Sequence, residues 1–493
     1  MSVRVRFAPS PTGYVHIGSL RTALYDYLYA KQQGGAYVLR IEDTDRTRLV
    51  EDAIDNLLEA AEWTGVMHDE GPFLDQNGKM IQKGDKGSYI QSERLDTYKQ
   101  YVDRLLDQGD AYHCFCTKER LDQVREQNKA AGQMSGYDGH CRSVSKEEAE
   151  KRIAAGESHV VRLRLPENKE ITIDDMVRGD VTMNTNDSDD QVLLKADGFP
   201  TYHMAVVVDD HLMGITHIIR GEEWLPSTPK HIVLYDMLGW EAPRYAHLPN
   251  ILNAEKKKLS KRHGDVSVAD FRKRGYLPEA LVNFLALVGW SPEGEQEIMS
   301  MEEMIEKFSF DRVSKSGGVF DVQKLNWMNN HYIKEADADR LTDMALPYVV
   351  EAELLTSEDA AAEREWIKRI VNLSREYLDF MSQIPKHVEL FIGTEVTLED
   401  DQAKEMITME HVPAMLEVLK GKLLAAEDFE AGSIKKLFKE VQKETGNKGK
   451  NLFMPVRVAM TGAVHGPDLM ESISILGKEK AAARLTYVIE NLC

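Results

Sequence analysis

Hydrophobic and polar residues alternate at the start of the chain, and the alternation soon gives way to a helical spacing. Segment 3–7 reads V-R-V-R-F, the period-two pattern of a half-buried strand. Prolines and a glycine interrupt segment 9–13, and apolar residues then recur every three to four positions over 20–28. The pattern predicts a strand, a tight turn and a helix that ends at Gly34-Gly35.

Further strands and helices follow in alternation. Segment 36–41 predicts a second strand that ends in acidic residues, and a helix is expected near 50–63. We predict a surface loop over 76–88, because this polar segment contains three glycines. The alternation of strands and helices favours a doubly wound parallel sheet.

The middle of the chain predicts more strands and the last third predicts helices. The predicted strands are 160–165, 171–174, 180–184, 192–195 and 215–220, together with the apolar run Met204 to Val208, which we interpret as a strand covered on both faces. Helical spacing begins after about Pro278, and from about Ala336 strand patterns almost disappear. We therefore expect a helical C-terminal region.

Size and charge limit the possible functions. A chain of 493 residues is too long for one core and predicts roughly three to four domains. The net charge of −21 argues against a generally basic nucleic-acid binder, although one basic face is enough for an RNA ligand. Candidate basic patches are 256–258, 261–262 and 435–450, and the alternative is that these lysines are ordinary solvated surface charge.

No stretch of the sequence predicts a membrane segment or a targeting signal. The longest apolar run, about 280–290, is shorter than the roughly 18 residues that a membrane helix needs. The first residues predict a strand with two arginines rather than a signal peptide. We therefore expect a cytoplasmic protein without membrane association.

The turn before the first helix predicts a phosphate site. A helix N-terminus has free N–H groups and the positive end of a dipole, which suit an anion. His16 lies there and could donate a hydrogen bond to a phosphate oxygen, and Gly18 allows the backbone to approach closely. A single histidine in such a turn is also common in a purely structural role.

Several longer strings match a known family. They are R-F-A-P-S-P-T-G at 6–13, H-I-G-S at 16–19, R-I-E-D-T-D at 40–45 and K-L-S-K-R at 258–262. Together they resemble the glutamyl/glutaminyl branch of class I aminoacyl-tRNA synthetases, whose "HIGH" and "KMSKS" motifs fall on the second and fourth strings. Ser19 differs from the second histidine of "HIGH". The regions 318–329, 454–462 and 476–479 resemble bacterial glutamyl-tRNA synthetases, so the similarity extends over nearly the whole chain.

The resemblance implies the site residues. Catalytic roles would fall on His16, Lys258 and Lys261. Glutamate would contact Arg6, Ala8, Ser10, Glu42, Tyr202, Val206 and Arg220. ATP would contact Pro9, His16, Gly18, Ser19, Glu223, Trp224, Leu225, Lys258, Leu259, Ser260, Lys261 and Arg262. Val206 stands where members often carry asparagine, so an α-carboxylate contact at this position needs other groups or water.

The chemistry of these residue types agrees with the implied roles. Guanidinium groups bind carboxylates through two hydrogen bonds, so Arg6 and Arg220 suit an acidic side chain, and Glu42 suits an α-ammonium group. The structural alternative is that both arginines form ion pairs with Asp43 or Asp45. Lysines can stabilise the charge that develops on the phosphates when a carboxylate attacks ATP.

Three of the four cysteines cluster in sequence. Cys114 and Cys116 are two residues apart, and Cys141 follows 25 residues after the second. Thiolates at this spacing are plausible zinc ligands, and Tyr137, His140 or His113 could supply a fourth. The spacing resembles the Cys-x-Cys…Tyr-x-x-x-Cys zinc site of some glutamyl-tRNA synthetases. The alternative is a set of reduced cysteines without metal.

The resemblance also implies the domain order and the fold class. We expect a Rossmann-type α/β catalytic domain with a parallel sheet, an inserted α+β acceptor-binding domain, and an all-α anticodon-binding region. The predicted boundaries are 1–108 and 191–255 for the two halves of the catalytic domain, 109–190 for the insert, 256–335 for the stem-contact domain and 336–493 for the helical region.

The implied function is ATP-dependent ligation of L-glutamate to the 3′ end of tRNA-Glu through a glutamyl-adenylate. Mg²⁺ would accompany ATP, and the enzyme would be a monomer. One alternative is a non-discriminating enzyme that also charges tRNA-Gln, a choice that depends on anticodon contacts around Arg375 and Tyr377. The other alternative is a non-catalytic tRNA-binding paralogue, which would have no use for His16, Lys258 and Lys261.

Overall fold

The computed structural model describes residues 2–132, 136–259 and 266–493, which form two compact units. The first unit comprises Met1–Arg272 and Pro278–Val322, and the second comprises Lys273–Leu277 and Gln323–Cys493. Ser260, Lys261 and Arg262 of the predicted lysine motif lie outside the described residues.

All thirteen strands that the described residues form belong to the first unit. They are β1 (Arg4–Phe7), β2 (Ala36–Leu39), β3 (Gly71–Leu74), β4 (Met80–Lys83), β5 (Ala111–Cys114), β6 (Val160–Leu163), β7 (Glu170–Asp175), β8 (Gly179–Asn184), β9 (Val192–Leu194), β10 (His217–Gly221), β11 (Arg244–Leu248), β12 (Ile251–Leu252) and β13 (Gly318–Val319). Its helices are α1 (Ile17–Gln32), α2 (Ala53–Thr64), α3 (Leu95–Gln108), α4 (Lys118–Ala130), α5 (Lys146–Ala154), α6 (Tyr202–Leu212), α7 (Thr228–Met237), α8 (Val268–Lys273), α9 (Pro278–Leu287) and α10 (Met301–Lys307).

Parallel strands from the two ends of the first unit lie side by side. β1 pairs with β2 in parallel, and β10 pairs with β11 in parallel. The amide of Thr216, just before β10, donates to the carbonyl of Arg4 at 2.9 Å, which joins the two pairs. β11 continues in parallel to β7, whose other edge pairs antiparallel with β8. The predicted parallel-sheet α/β class is therefore confirmed.

Strands and helices contribute side chains to one continuous core. Tyr98 from α3, Val161 from β6, Leu193 from β9, Val208 from α6 and Tyr245 from β11 all belong to it. Strands β5, β6 and β9 form a separate antiparallel sheet. The core thus includes residues on both sides of the predicted insert boundaries, and those boundaries stay a prediction.

Two local predictions are wrong. The run Met204 to Val208 belongs to helix α6 and not to a strand. All five residues are buried, and an apolar run of this length fits a buried helix as well as a buried strand. The predicted loop 76–88 contains strand β4, which pairs antiparallel with β3 although its own residues are exposed.

The second unit is helical throughout its described residues, as the sequence predicts. Its helices are α11 (Val322–Glu335), α12 (Ala338–Glu351), α13 (Ser357–Ala362), α14 (Arg364–Ser374), α15 (Ile384–Glu389), α16 (Asp401–Ile407), α17 (Val412–Ala425), α18 (Ala431–Thr445), α19 (Lys450–Thr461), α20 (Leu469–Leu476) and α21 (Lys478–Asn491). In α14 the buried residues Ile367, Ile370 and Val371 recur at helical spacing on one face. Within the three described ranges, no helix combines the length and the apolar character that crossing a membrane requires.

Candidate active site

A cleft of about 820 Å³ opens at the carboxyl ends of the parallel strands. Arg6 comes from β1, Glu42 follows β2, and Arg220 comes from β10. Most of the predicted site residues line this cleft: Arg6, Ala8, Pro9, Ser10, His16, Gly18, Ser19, Glu42, Tyr202, Arg220, Glu223, Trp224, Lys258 and Leu259. Residues that are more than 200 positions apart in sequence therefore share one cavity.

Two of the predicted site residues lie elsewhere. Val206 is one helical turn beyond Tyr202 on α6 and is 1 % exposed in the hydrophobic core. Leu225 packs against the same core. Neither Val206 nor Leu225 is among the described residues that line the cleft. We predicted Val206 from its position in the family pattern, and that pattern does not show how deeply a residue is buried.

The cleft also includes residues outside the sequence motifs. Lys195, Thr44 and Thr201 line it, and the ammonium group of Lys195 donates to the carbonyl of Thr44 at 3.1 Å. Arg21 of α1 lines it as well and donates to the carbonyl of Val288 at 3.1 Å. A basic residue beside a predicted strand end was the only available signal for Lys195, and such residues are too common to identify a site.

His16 caps the N-terminus of α1 with its imidazole ring. Nδ1 accepts a hydrogen bond of 3.0 Å from the amide of Gly18, so the ring proton is carried by Nε2. The neutral ring is thereby a donor at Nε2, the property needed to bind a phosphate oxygen. A Cβ atom at position 18 would lie 3.2 Å from His16 Nδ1, a tight contact with the capping ring.

Arg6 is an ion-paired residue on one side of the cleft. Its Nε donates to Asp210 Oδ1 at 3.1 Å, and both side chains are almost completely buried. Arg40 donates to the same Asp210 oxygen at 2.7 Å. Burial raises the pKa of Asp210, but the charges of Arg6 and Arg40 outweigh it and hold this pKa below its usual value. Asp210 is therefore a carboxylate and neutralises part of the charge beneath the cleft.

The outer part of the Arg6 guanidinium group faces the cleft. Among the described residues, Nη1 and Nη2 of Arg6 have no hydrogen-bond partner, whereas Nε is bonded to Asp210. The terminal N–H groups are therefore available for an anionic ligand. The structural alternative from the sequence, an ion pair of Arg6 with Asp43 or Asp45, is wrong.

Glu42 lies beside Arg6 with one carboxylate oxygen engaged. Its Oε1 accepts hydrogen bonds from Arg40 Nη2 at 2.9 Å and from Arg40 Nε at 3.3 Å. Oε2 accepts none from the described part of the chain. Burial raises the pKa of Glu42 above its usual value, against the opposing charge of Arg40. An arriving ammonium group would find an acceptor at Oε2 and would favour the ionised form.

Arg220 has surroundings of a different kind. Nε donates to His247 Nε2 at 3.1 Å, Nη2 donates to Thr228 Oγ1 at 2.8 Å, and Nη1 donates to Tyr202 Oη and His231 Nδ1, both at 3.3 Å. The Trp224 carbonyl accepts a longer bond of 3.4 Å from Nη2. Each of these acceptors is neutral. Arg220 forms no ion pair with a carboxylate of the described residues, so the alternative pairing with Asp43 or Asp45 is wrong here too.

An aromatic pair lies beside Arg220. The rings of Tyr202 and Trp224 are 4.3 Å apart between centroids and 35° from parallel. Both residues line the cleft, and both provide one of the longer acceptors of Arg220. A ligand carboxylate could replace these two hydrogen bonds, whose acceptors line the cleft, and leave those to His247, Thr228 and His231 in place. A charged acceptor binds a guanidinium group more strongly than a neutral one.

The three cysteines of the sequence cluster also come together. The sulfur atoms of Cys114, Cys116 and Cys141 lie within 4.8 Å of one another. Tyr137 Oη lies 3.4 Å from Cys114 Sγ and 3.8 Å from Cys116 Sγ. His140 is exposed, and the ring of His113 packs against His159 instead. Of the three candidates for a fourth ligand, the geometry favours Tyr137.

The arrangement agrees with the family models that match the chain. The model described as "tRNA synthetases class I (E and Q), catalytic domain" matches residues 2–327, and the model described as "Anticodon binding domain" matches residues 340–489. The chain therefore belongs to the class I tRNA synthetases of the E and Q group, and the predicted resemblance is confirmed.

Named relatives extend this result over the full length. The chain is 59% identical over 491 residues to the glutamate–tRNA ligase of Alkaliphilus metalliredigens, covering 100% of this chain and 99% of the relative. It is 56% identical over 492 residues to the glutamate–tRNA ligase of Clostridioides difficile, covering 100% of both. A crystal structure of a glutamate tRNA ligase from Elizabethkingia meningosepticum in complex with its amino acid has a TM-score of 0.88 at 36% identity and covers 100% of both chains.

Proposed function

We propose that this chain ligates L-glutamate to tRNA, with ATP as the energy source. The observation that carries the proposal is the single cleft in which Arg6, Glu42 and Arg220 meet the His16-capped helix. Two guanidinium groups select an acidic side chain, and the carboxylate suits an α-ammonium group. The helix N-terminus and His16 suit the phosphates of ATP. The expected location is the cytoplasm, where tRNA, glutamate and ATP are available.

The first chemical step is attack of the glutamate α-carboxylate on the α-phosphorus of ATP. The bond to pyrophosphate breaks, and a glutamyl-adenylate forms. No protein nucleophile is needed, because orientation in the cleft and stabilisation of the phosphate charge lower the barrier. His16 would donate to a phosphate oxygen through Nε2, and Lys258 would add a mobile positive charge from its exposed position at the cleft wall. Mg²⁺ would enter with ATP and neutralise phosphate charge.

In the second step, a ribose hydroxyl at the 3′ end of tRNA attacks the glutamyl carbonyl, and AMP leaves. Predicted roles for Lys261, Ser260 and Arg262 in the first step remain part of the proposal. The predicted anticodon contacts at Arg375 and Tyr377 remain part of it too, and Tyr377 is 52% exposed in the helical unit.

We propose a structural zinc ion at the cysteine cluster. Cys114, Cys116, Cys141 and Tyr137 would hold it, since three sulfurs and one oxygen at these distances approach a four-coordinate site. Its role would be to join β5 to the segment around Cys141. Metal analysis of protein purified without chelator should give about one zinc per chain, and a value near zero would contradict the site.

Charging assays test the proposed function directly. The protein is incubated with ATP and labelled glutamate or glutamine, on purified tRNA-Glu and tRNA-Gln. Glutamate should be attached to tRNA-Glu, and glutamine should not be. Failure to charge either tRNA would contradict the proposed activity, and charging of tRNA-Gln with glutamate would identify a non-discriminating enzyme.

His16→Asn separates the two roles of this residue. Asparagine is a good helix cap and can still accept the Gly18 amide, but it lacks the Nε2 donor. We expect adenylate formation to slow by roughly 10²-fold, the order found when one donor to a transition-state charge is lost. The thermal stability should change little, and an unchanged rate of activation would contradict the assignment of His16.

A further inference from the structure

The polar groups behind Arg220 form two connected arms. Arg220 is 5 % exposed, and two of its buried partners are the rings of His247 on β11 and His231 on α7. On the ring side away from Arg220, His247 is bonded to Asp175 and His231 is bonded to His203. None of these four residues was singled out by the sequence motifs, and His231, His247 and Asp175 do not line the cleft.

The first arm determines the proton position on His247. His247 Nδ1 donates to Asp175 Oδ2 at 2.6 Å, which leaves Nε2 unprotonated as the acceptor for Arg220 Nε. Asp175 itself accepts from the backbone amides of Val177 and Arg178. The Asp175 charge is therefore compensated by several donors, and it is separated from Arg220 by a whole imidazole ring.

The second arm works in the same way through His231. A guanidinium group can only donate, so His231 Nδ1 must be the acceptor of the Arg220 Nη1 hydrogen bond. The proton of His231 therefore lies on Nε2 and is donated to His203 Nδ1 at 2.9 Å. His231 is 1 % exposed, and a second proton would place two positive charges in contact. The ring is therefore neutral as long as it accepts from Arg220.

We propose that His231 and His247 are positioning residues that keep Arg220 as a buried cation without a carboxylate contact, so that the cleft prefers a negatively charged ligand side chain over its neutral amide. This inference rests on the proposed function and concerns how the site distinguishes glutamate from glutamine. Neutral acceptors satisfy the N–H groups of Arg220 but leave its positive charge uncompensated. A glutamate side chain supplies the missing charge, and a glutamine side chain does not.

Arg6, on the neighbouring strand β1, shows that a buried arginine of this cleft can also be paired with a carboxylate. We call the neutral acceptors around Arg220 its neutral shell. Arg6 is neutralised by Asp210, so it contributes little charge preference on its own. A carboxylate in the place of His231 would make Arg220 equivalent to Arg6. The site would then offer hydrogen bonds without a net charge, and glutamate and glutamine would compete on nearly equal terms.

Two substitutions of His231 that are isosteric with each other test this proposal. His231→Glu brings a carboxylate to Arg220, and His231→Gln brings a neutral group of the same size. For His231→Glu we expect KM for glutamate to rise about 100-fold, with the glutamate-over-glutamine preference in kcat/KM reduced by a similar factor, because the charge preference of the pocket is lost. For His231→Gln the rise should be only a few-fold. KM for ATP should change less than threefold in both.

The surface variant His211→Glu controls for added charge. His211 lies on α6, is exposed, and stacks on Trp240 away from Arg220. We expect its kinetic constants to equal those of the parent. If His231→Glu and His231→Gln raised KM for glutamate equally, or if KM for ATP rose in parallel, the histidine would have a purely structural role and the proposal would be overturned.

A second pair of variants tests the other arm, should His231→Glu fail to fold. Asp175→Asn weakens the constraint that places the His247 proton on Nδ1. An asparagine side chain can rotate to present its amide donor where Asp175 presents an acceptor. Asp174→Asn is the matched control, since Asp174 is the exposed neighbour on β7. We expect Asp175→Asn to raise KM for glutamate about tenfold with KM for ATP unchanged, and the proposal fails if both constants shift together.

The two proposals fail in different ways. If the parent protein does not charge tRNA with glutamate, the proposed function is wrong whatever the variants do. If the parent charges tRNA-Glu normally and the His231 variants are kinetically identical to each other, the function stands and only the role of the neutral shell is wrong.

Discussion

Arg6 and Arg220 lie on the same cleft, but their surroundings are opposite. Arg6 is charge-compensated by Asp210 and has terminal N–H groups open to the cleft. Arg220 has no carboxylate contact among the described residues, while neutral acceptors occupy its N–H groups. One arginine therefore offers hydrogen bonds without much net charge, and the other offers net charge with its hydrogen bonds already made.

The difference shows that two residues of the same type can divide the recognition of one ligand. A guanidinium group whose charge is neutralised but whose terminal N–H groups are unoccupied orients a carboxylate through two parallel hydrogen bonds. A buried cation without a counter-ion binds a negatively charged ligand group more strongly than a neutral group of the same shape. Three substitutions and one change of pH test this division of roles.

The largest effect should follow from Asp210→Asn, which removes the counter-ion of the Arg6 side. Arg6 and Arg40 would be left close together and partly uncompensated, and breaking a buried ion pair costs about 3–5 kcal/mol. We expect chemical denaturation to show a loss of about 4 kcal/mol in the unfolding of the first unit. Asp236→Asn removes an exposed ion pair and should cost less than about 1 kcal/mol. Equal losses of unfolding free energy in Asp210→Asn and Asp236→Asn would contradict the proposed charge compensation of Arg6 by Asp210.

The next effect concerns Arg220→Gln, which removes the uncompensated cation. Because the neutral shell does not depend on a charge at this position, the fold should tolerate the change. We expect kcat/KM for glutamate to fall by about 10²-fold, equivalent to ~2.7 kcal/mol, since charge-assisted hydrogen bonds to the ligand are lost. KM for ATP is the internal control, and a parallel loss in it would indicate a folding role instead.

A smaller effect is expected from Arg6→Lys. Lysine keeps the positive charge near Asp210 but has no planar fork for a bidentate contact. We predict an increase of roughly tenfold in KM for glutamate, ~1.4 kcal/mol, with little change in the melting temperature. Arg4→Lys is the matched control on the same strand, because Arg4 pairs with Glu70 instead. A change in KM as large in the control would contradict the prediction.

The smallest effect is a pH dependence at the end of the second arm. Burial, together with the charges of Lys230 and Arg220 and against that of Asp189, lowers the pKa of His203 from 6.5 to about 4. The unfolded chain therefore binds more protons below pH 6.5, so stability is complete above that value and falls as the pH drops toward 4. Between pH 6.5 and 5.5 the loss should be about 1 kcal/mol.

His203→Gln removes the titrating ring, so its melting temperature should vary less with pH than that of the parent over the same interval. His211→Gln is the control, because His211 is exposed on the same helix. An identical pH dependence in the parent and in His203→Gln would show that other groups account for it.

Local patterns were sufficient for the parts of the fold whose contacts are close in sequence. The alternation in 3–7 predicted β1, and the helical spacing after the turn predicted α1 with His16 at its start. The long amphipathic helices of the second unit were predicted for the same reason. Motif strings then indicated which strand ends would meet, and the cleft brings together fourteen of the predicted residues.

Hydrophobic patterns failed to predict the structure where a helix and a strand would bury the same side chains. The run Met204 to Val208 is apolar throughout, so its periodicity carries no information about helix or strand. Strand β4 is exposed on both faces and has no hydrophobic pattern to detect. Val206 entered the predicted site through a family position, although its side chain is enclosed by the core.

The residue types of the site can be read from the amino-acid sequence: two arginines, a glutamate, a helix-capping histidine and a lysine-rich segment. The partner of each arginine depends on how the chain folds. Asp210 is 204 positions from Arg6, and Asp175 is 72 positions from His247, so tertiary packing and not local spacing brings them into contact. A guanidinium group can donate its hydrogen bonds either to a carboxylate or to a neutral ring. The local sequence therefore does not distinguish an arginine whose charge is neutralised from one whose charge is uncompensated.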